Sequence, residues 1–268
     1  MGARKLAFYS DLRGKTALIT GVGRQKGIGA AICYKLAEAG TDIFFTYLTR
    51  YDHSMEWNVD DREPEEIKRA IKKYGVRCFS MEADLAEDTA PSSILDMAEE
   101  ELGPVSILVN NAAYSTGNNV ENLDFKELDA HYAVNVRGTI MLSLEFVRRF
   151  EKAAAVQGRI INLTSGQSRG PMPAELAYAA TKGAVEAFTT SLSAGVASKG
   201  ITVNAVNPGP TDTGWMAEPI KQQLISKFPL GRTGQPEDAA RLIRFLASEE
   251  AEWITGQIIH SEGGFVRE

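Results

Sequence analysis

The chain has 268 residues, 44% of them apolar, and a formal net charge of −6 with charged side chains spread along its length. That is enough for one large α/β domain with a two-sided core, and it contains no basic block that could follow a phosphate backbone, so nucleic acid is not an expected partner. Cys33 and Cys78 make neither a disulfide framework nor a metal site, and His53, His131 and His260 lie too far apart for ligand spacing, so no metal is expected. The first residues, Met1-Gly2-Ala3-Arg4-Lys5-Leu6, lack the apolar stretch of a signal peptide, and Leu6 stands where a myristoylation signal needs a hydroxyl. No run reaches the ~18 apolar residues of a membrane helix, so the expected setting is cytoplasmic, without a membrane partner.

Strand-like and helix-like segments then alternate. Residues 15–20 form a short apolar run that ends in a glycine-rich turn, and 28–39 read as a helix with Ile28, Ile32 and Leu36 on one side and Gly40 at its end. Residues 42–47 are a second strand, followed by a polar stretch over 49–63 and a helix that opens with Pro64 and runs to about Tyr74. A third strand (76–81) and helix (92–102) lead to a fourth strand (105–110) and a long helix over 124–154. A fifth strand (159–163), a helix (178–198), a sixth strand (201–206), a helix (236–248) and a short last strand (257–260) complete the pattern. Helices of this length between strands imply crossover connections, hence a parallel sheet covered on both faces. With no repeat and no long linker, residues 1–268 read as a single doubly wound (Rossmann) α/β domain with a parallel sheet of about seven strands.

The turn after the first strand is Thr20-Gly21-Val22-Gly23-Arg24-Gln25-Lys26-Gly27-Ile28-Gly29. Glycines there let the backbone approach a pyrophosphate, whose charge the following helix N-terminus stabilises. The required context of strand before and helix after is present, so a dinucleotide is expected against Gly21, Gly23, Arg24, Gly27, Ile28 and Gly29. An NAD site would place a carboxylate at the end of the second strand to hold the ribose 2′-hydroxyl. This chain has Thr49 and Arg50 there, with Arg24 and Lys26 in the turn, a set that attracts a 2′-phosphate. NADP(H) is therefore expected over NAD(H), unless Arg50 is only a solvated charge.

Of eight tyrosines only Tyr178 has a lysine, Lys182, four residues on, and Ser165 ends the fifth strand. Positions i and i+4 share a helix face, so phenol and ammonium lie side by side. A neighbouring cation favours the phenolate and brings its pKa down toward a useful range. A hydroxyl, a tuned phenol and a lysine suit carbonyl reduction or alcohol oxidation. Taken singly, the same residues are a strand-end hydroxyl and a surface pair.

Together these motifs resemble the short-chain dehydrogenase/reductase family over nearly the whole chain. The matching segments are the turn from Thr20 to Gly29, Asp84-Leu85, Asn110-Asn111-Ala112-Ala113, Ala133-Val134-Asn135-Val136, Ser165, Tyr178 with Lys182, and Asn207-Pro208-Gly209. The tail through Pro229-Leu230-Gly231-Arg232 to Gly263-Gly264 fits as well. The resemblance implies that Tyr178 is the general acid and that Ser165 steadies the carbonyl oxygen. It implies that Lys182 lowers the phenol's pKa and grips the nicotinamide ribose, and that Asn135 holds a water of a proton relay. It further implies contacts from Asp84 and Leu85 to the adenine side, from Asn111 and Ala112 to the adenosine, and from Pro208, Gly209, Thr211 and Thr213 to the carboxamide. A homotetramer built on the helices 124–154 and 178–198 is implied too.

The chain departs from the family in its glycine turn, which holds five residues between Gly21 and Gly27 where three are usual, in Ala112-Ala113 for Ala-Gly, and in a longer 49–63 segment whose acids read as solvated. Its nearest look is to 3-oxoacyl-[acyl-carrier-protein] reductases of fatty acid biosynthesis, so an acyl thioester and an acyl carrier protein are the expected substrate and partner. An acidic carrier protein needs a basic docking face. The stretch 152–157 is poor in cations, leaving Arg148, Arg149 and Lys199 as candidates. A small free ketone, alcohol or sugar is the alternative substrate, and a non-catalytic dinucleotide sensor is a further reading that the full set Asn135, Ser165, Tyr178 and Lys182 disfavours. Residues 210–228, with Trp215, Met216, Pro219 and Ile220, are the expected substrate lid.

Overall fold

The computed structural model describes residues 9–55, 57, 59–152 and 157–267. Seven strands form one sheet in the order β3-β2-β1-β4-β5-β6-β7, every pairing parallel. They are β1 (Thr16–Ile19), β2 (Asp42–Tyr47), β3 (Cys78–Glu82), β4 (Ile107–Asn110), β5 (Gly158–Leu163), β6 (Ile201–Asn207) and β7 (Ile258–His260). Helices α1 (Ile28–Glu38), α2 (Thr49–His53), α3 (Glu63–Lys72), α4 (Ala90–Leu102), α5 (Phe125–His131), α6 (Thr139–Lys152), α7 (Leu176–Val196), α8 (Glu218–Ile225) and α9 (Pro236–Ala247) connect them.

Strand side chains alternate between faces, and each face has its own core. Ala17, Ile19 and Ile161 pack with Ile32 and Leu36 of α1, Ile67 of α3 and Ile243 of α9. Leu18 and Ile160 point the other way, onto Ile94 and Leu95 of α4 and Leu142 and Phe146 of α6. β1, β4, β5 and β6 are buried at every position, as a sheet covered on both sides requires.

Three segments differ from the sequence pattern. The polar stretch after β2 contains the short helix α2, and the expected lid contains α8; neither buries a residue, so neither leaves an apolar period to read. The helix expected over 124–154 is interrupted by a π-helical turn, Tyr132–Gly138, between α5 and α6. Gly138 closes that turn where a Cβ would come 2.8 Å from the Leu85 carbonyl oxygen. Residues 153–156, which include the end of that expected helix and most of the cation-poor stretch, lie outside the described residues, as do the N-terminal residues 1–8.

Candidate active site

Strand order reverses between β1 and β4, and clefts in such sheets form beyond the carboxyl ends at that point. The backbones that follow the two strands touch there. Gly21 adopts φ +73°, and a Cβ on it would lie 2.6 Å from Ala112 Cα. Thr20 Oγ1 accepts from the backbone N–H of Asn111 (3.1 Å) and Ala112 (3.0 Å), and Asn111 Nδ2 donates to the carbonyls of Thr20 (2.8 Å) and Gly21 (3.0 Å). Asn111 thus fixes the shape of the glycine turn from across the cleft.

A cavity of about 600 Å³ opens above this junction. Gly21, Gly23, Arg24, Gly27, Ile28 and Gly29 line one wall, and Arg50, Asp84, Leu85, Asn111, Ala112 and Thr213 line the rest. The cradle fits a dinucleotide at its backbone: a Cβ at Gly29 would sit 2.8 Å from the Gly21 carbonyl oxygen, so only glycine leaves that space open. Thr49 falls outside the lining, and its N–H is bound by the Glu82 carboxylate at 2.9 Å. Pro208, Gly209 and Thr211 are outside it too; they form a turn after β6 in which Asn207 Oδ1 accepts from Gly209 N–H (2.9 Å) and Thr211 Oγ1 donates to the Gly209 carbonyl (3.1 Å).

The charges expected for a phosphate are arranged differently. Arg50 forms an ion pair with Asp84, so the proposed 2′-phosphate ligand and the proposed adenine contact are turned to each other. Arg24 lies with its guanidinium carbon 3.8 Å from the Trp57 ring centroid and donates to the Thr213 carbonyl at 3.0 Å. Burial lowers its pKa. The 49–63 acids are not all solvated: the Asp52 carboxylate is packed against Gly23, 4.0 Å from Arg24 Nε, and burial raises its pKa. Tyr51 Oη accepts from Ser115 N–H (3.2 Å), its ring lies 5.7 Å from that of Tyr114, and burial pushes its pKa up to about 12. Tyr51, Asp52 and Trp57 therefore roof the cradle. Tyr51, Asp52, Trp57 and Tyr114 escaped the sequence reading; the unusual length after β2 and its two aromatics were the available signal.

Ser165 follows β5, and Tyr178 and Lys182 share the first turns of α7. The Ser165 hydroxyl lies near enough to the Tyr178 phenol to lower its pKa, and in the structure it donates to Met172 Sδ at 4.0 Å. Lys182, only 3% exposed, donates from Nζ to the Leu163 carbonyl at 2.8 Å and lies 5.4 Å from the Tyr178 ring centroid. The expected tuning by lysine is not what governs this phenol: burial pushes the Tyr178 pKa up, the nearby Glu175 carboxylate and Tyr51 add to this, and the Ser165 hydroxyl opposes it. Burial brings Lys182 down to about 8. Asn135 stands in the π-helical turn, 1% exposed. Its Oδ1 accepts from Tyr114 N–H (2.7 Å), and its Nδ2 donates to the Tyr114 carbonyl (2.9 Å) and Thr181 Oγ1 (3.1 Å). Both amide hydrogens are in use, so the side chain fixes Tyr114 and the start of α7. Gln167, two residues past Ser165, buries both amide atoms without a protein hydrogen-bond partner.

A seven-stranded parallel sheet, a glycine cradle at its switch point and a serine, tyrosine and lysine placed by the end of β5 and the start of α7 define a short-chain dehydrogenase/reductase, and the chain belongs to that family. The family model described as enoyl-(acyl carrier protein) reductase matches residues 21–266. The uncharacterized oxidoreductase YjdA of Bacillus subtilis is 56% identical over 94% of this chain and 97% of its own length. The 3-oxoacyl-[acyl-carrier-protein] reductase of Staphylococcus epidermidis is 33% identical over 93% of this chain and 98% of its own. A short-chain dehydrogenase of Burkholderia cenocepacia, solved in complex with NADP, superimposes with a TM-score of 0.82 at 31% identity, covering 94% of this chain and 98% of that one. The protein is an NAD(P)-dependent oxidoreductase. Among the described residues no helix is long and apolar enough to cross a membrane.

Proposed function

We infer that the protein reduces a ketone to a secondary alcohol with NADP(H), using Tyr178 as the proton donor. The observation that carries this reading is the grouping of Ser165, Tyr178 and Lys182 around the start of α7, which lies outside the cavity lining and is tied to it through Asn135, bonded to Tyr114 of the wall and to Thr181 of α7. NADPH held against Gly21, Gly27 and Gly29 would supply the hydride. The Ser165 hydroxyl would donate to the carbonyl oxygen as charge develops on it, and the Tyr178 phenol, kept protonated by its raised pKa, would hand over its proton. Lys182 would hold the ribose hydroxyls and resupply the phenol, and Asn135 would position Tyr114 and α7.

Preference for NADP(H) is supported by the lack of a carboxylate at the end of β2, where Arg50 follows and lines the cavity. Arg50 would exchange Asp84 for the 2′-phosphate. Initial rates with NADPH and NADH across a ketone panel test this; turnover with NADH alone would end the NADP(H) reading.

A free carbonyl compound is favoured over a carrier-bound acyl thioester by the state of Arg149. Its guanidinium is held by Glu145 (2.8 Å), Asp96 (2.8 Å) and Glu99 (3.1 Å), so it offers no charge to an acidic carrier protein. Acetoacetyl thioester on acyl carrier protein, compared with free ketones, separates the two. Self-association into a tetramer is supported by exposed apolar side chains along α5, the π-helical turn and α7: Phe125, Leu128, Tyr132 and Leu176.

A further inference from the structure

The last described residue of the chain reaches back to the site. Arg267 donates from Nη1 to Glu262 Oε1 (2.9 Å) and from Nη2 to Glu262 Oε2 (2.7 Å), a bidentate pair in which the carboxylate is 8% exposed. The same Glu262 Oε2 accepts from Asn207 Nδ2 at 2.8 Å, and Asn207 holds the Gly209 N–H. Glu262 also lies beneath Gly209, where a Cβ would come 2.5 Å from the Glu262 Cβ. On its other side Arg267 is enclosed by the loop that starts at Ser165. Its guanidinium fills the space over Gly166, its Cδ would be 2.8 Å from a Cβ on Gly170, and Arg169 of that loop comes within 3.8 Å of Glu262.

We propose that Arg267, acting through Glu262, is a positioning residue that sets the Ser165 loop and the Pro208-Gly209 turn relative to each other. The argument is geometric. Ser165 and Pro208-Gly209 sit on separate connections, after β5 and after β6, and no strand pairing extends to either loop. A charge-assisted fork with fixed geometry, buried against both, supplies the missing constraint. The two small residues Gly166 and Gly170 are what allow the guanidinium to lie so close. Glu262 is well placed to serve both sides because each of its oxygens takes a donor from Arg267, while one also holds Asn207. The proposal rests on the reductase reading for its catalytic consequence but not for its structural one.

The test uses the full chain with Arg267→Ala, Arg267→Lys and the double variant Glu262→Gln/Arg267→Ala. Amide exchange is followed over residues 165–170 and 207–211, alongside kcat, KM and the NADPH Kd. In Arg267→Ala both loops should lose protection together while the sheet keeps its own. kcat should fall roughly 10- to 100-fold, the scale of a misplaced catalytic group, with the NADPH Kd within about twofold. Guanidinium ion should restore part of kcat to Arg267→Ala but not to the double variant, and Arg267→Lys, with its single point charge, should fall between. Unchanged exchange in both loops overturns the proposal whatever the enzyme turns over. So does a loss of kcat that tracks a general loss of thermal stability and ignores guanidinium. Failure of the unsubstituted enzyme to reduce any ketone would instead strike the reductase reading, and the exchange data would still decide the clamp.

Discussion

Tyr178 and Lys182 show how far a spacing can carry. A spacing of four placed both on one helix face, and the position of Ser165 just after β5 could be read from the apolar run before it. Their proton affinities could not be read, because these follow from burial. Lys182 is drawn to about 8 by desolvation while its Nζ is held by the Leu163 carbonyl. The sign of the stability effect follows. A lysine whose folded pKa is depressed opposes folding while it is charged; that opposition is full below pH 8 and is relieved as pH rises toward 10.5, since the unfolded chain binds the extra proton in that window. Measured against Lys182→Met by urea unfolding, the unsubstituted protein should therefore gain about 3 kcal/mol between pH 7 and the top of that window. A gap that does not change with pH would mean that Lys182 is not desolvated. Arg50 and Asp84 illustrate the opposite limit: each was expected to contact a cofactor, but their ion pair joins two different strand ends, and local sequence does not encode that.

The helices and strands that bury a face were legible, and those that bury none were not. α1, α9 and the seven strands carry apolar periods that their packing demands. α2 and α8 carry none, and Tyr51, Asp52 and Trp57 are placed by contacts with distant partners: Tyr51 to Ser115, Arg24 to Trp57, Asp52 to Gly23. This roof has a consequence for binding. The Asp52 carboxylate faces the cradle where a pyrophosphate would approach, so Asp52→Asn should tighten NADPH binding by roughly threefold or more, a change of the size expected for one like-charge contact in partly screened surroundings. Fluorescence titration measures it, and weaker binding by the variant would assign Asp52 a supporting role instead. The π-helical turn belongs to the same lesson. Its seven residues read as ordinary helix, and only the approach of Gly138 to Leu85 and the grip of Asn135 on Tyr114 show why the register changes there.

For the molecule as a whole, parallel pairing and two buried faces follow from the alternation of elements, which is why the architecture could be anticipated; the strand order with its switch point between β1 and β4 does not follow from alternation. The surface is less transparent. Phe125 is 87% and Tyr132 53% exposed, on α5 and the π-helical turn that follows it, apolar side chains that a partner subunit would cover. Phe125→Glu should shift the mass seen by light scattering to smaller species; an unchanged mass would move the contact elsewhere.

The central claim is that a half-buried, protonated Tyr178 delivers the proton in ketone reduction. NADPH oxidation with a panel of ketones, comparing the unsubstituted enzyme with Tyr178→Phe, tests it most directly. The account predicts that the substitution lowers kcat by roughly a thousandfold, the scale of losing a general acid, with the NADPH Kd held. Equal turnover by both enzymes would contradict it.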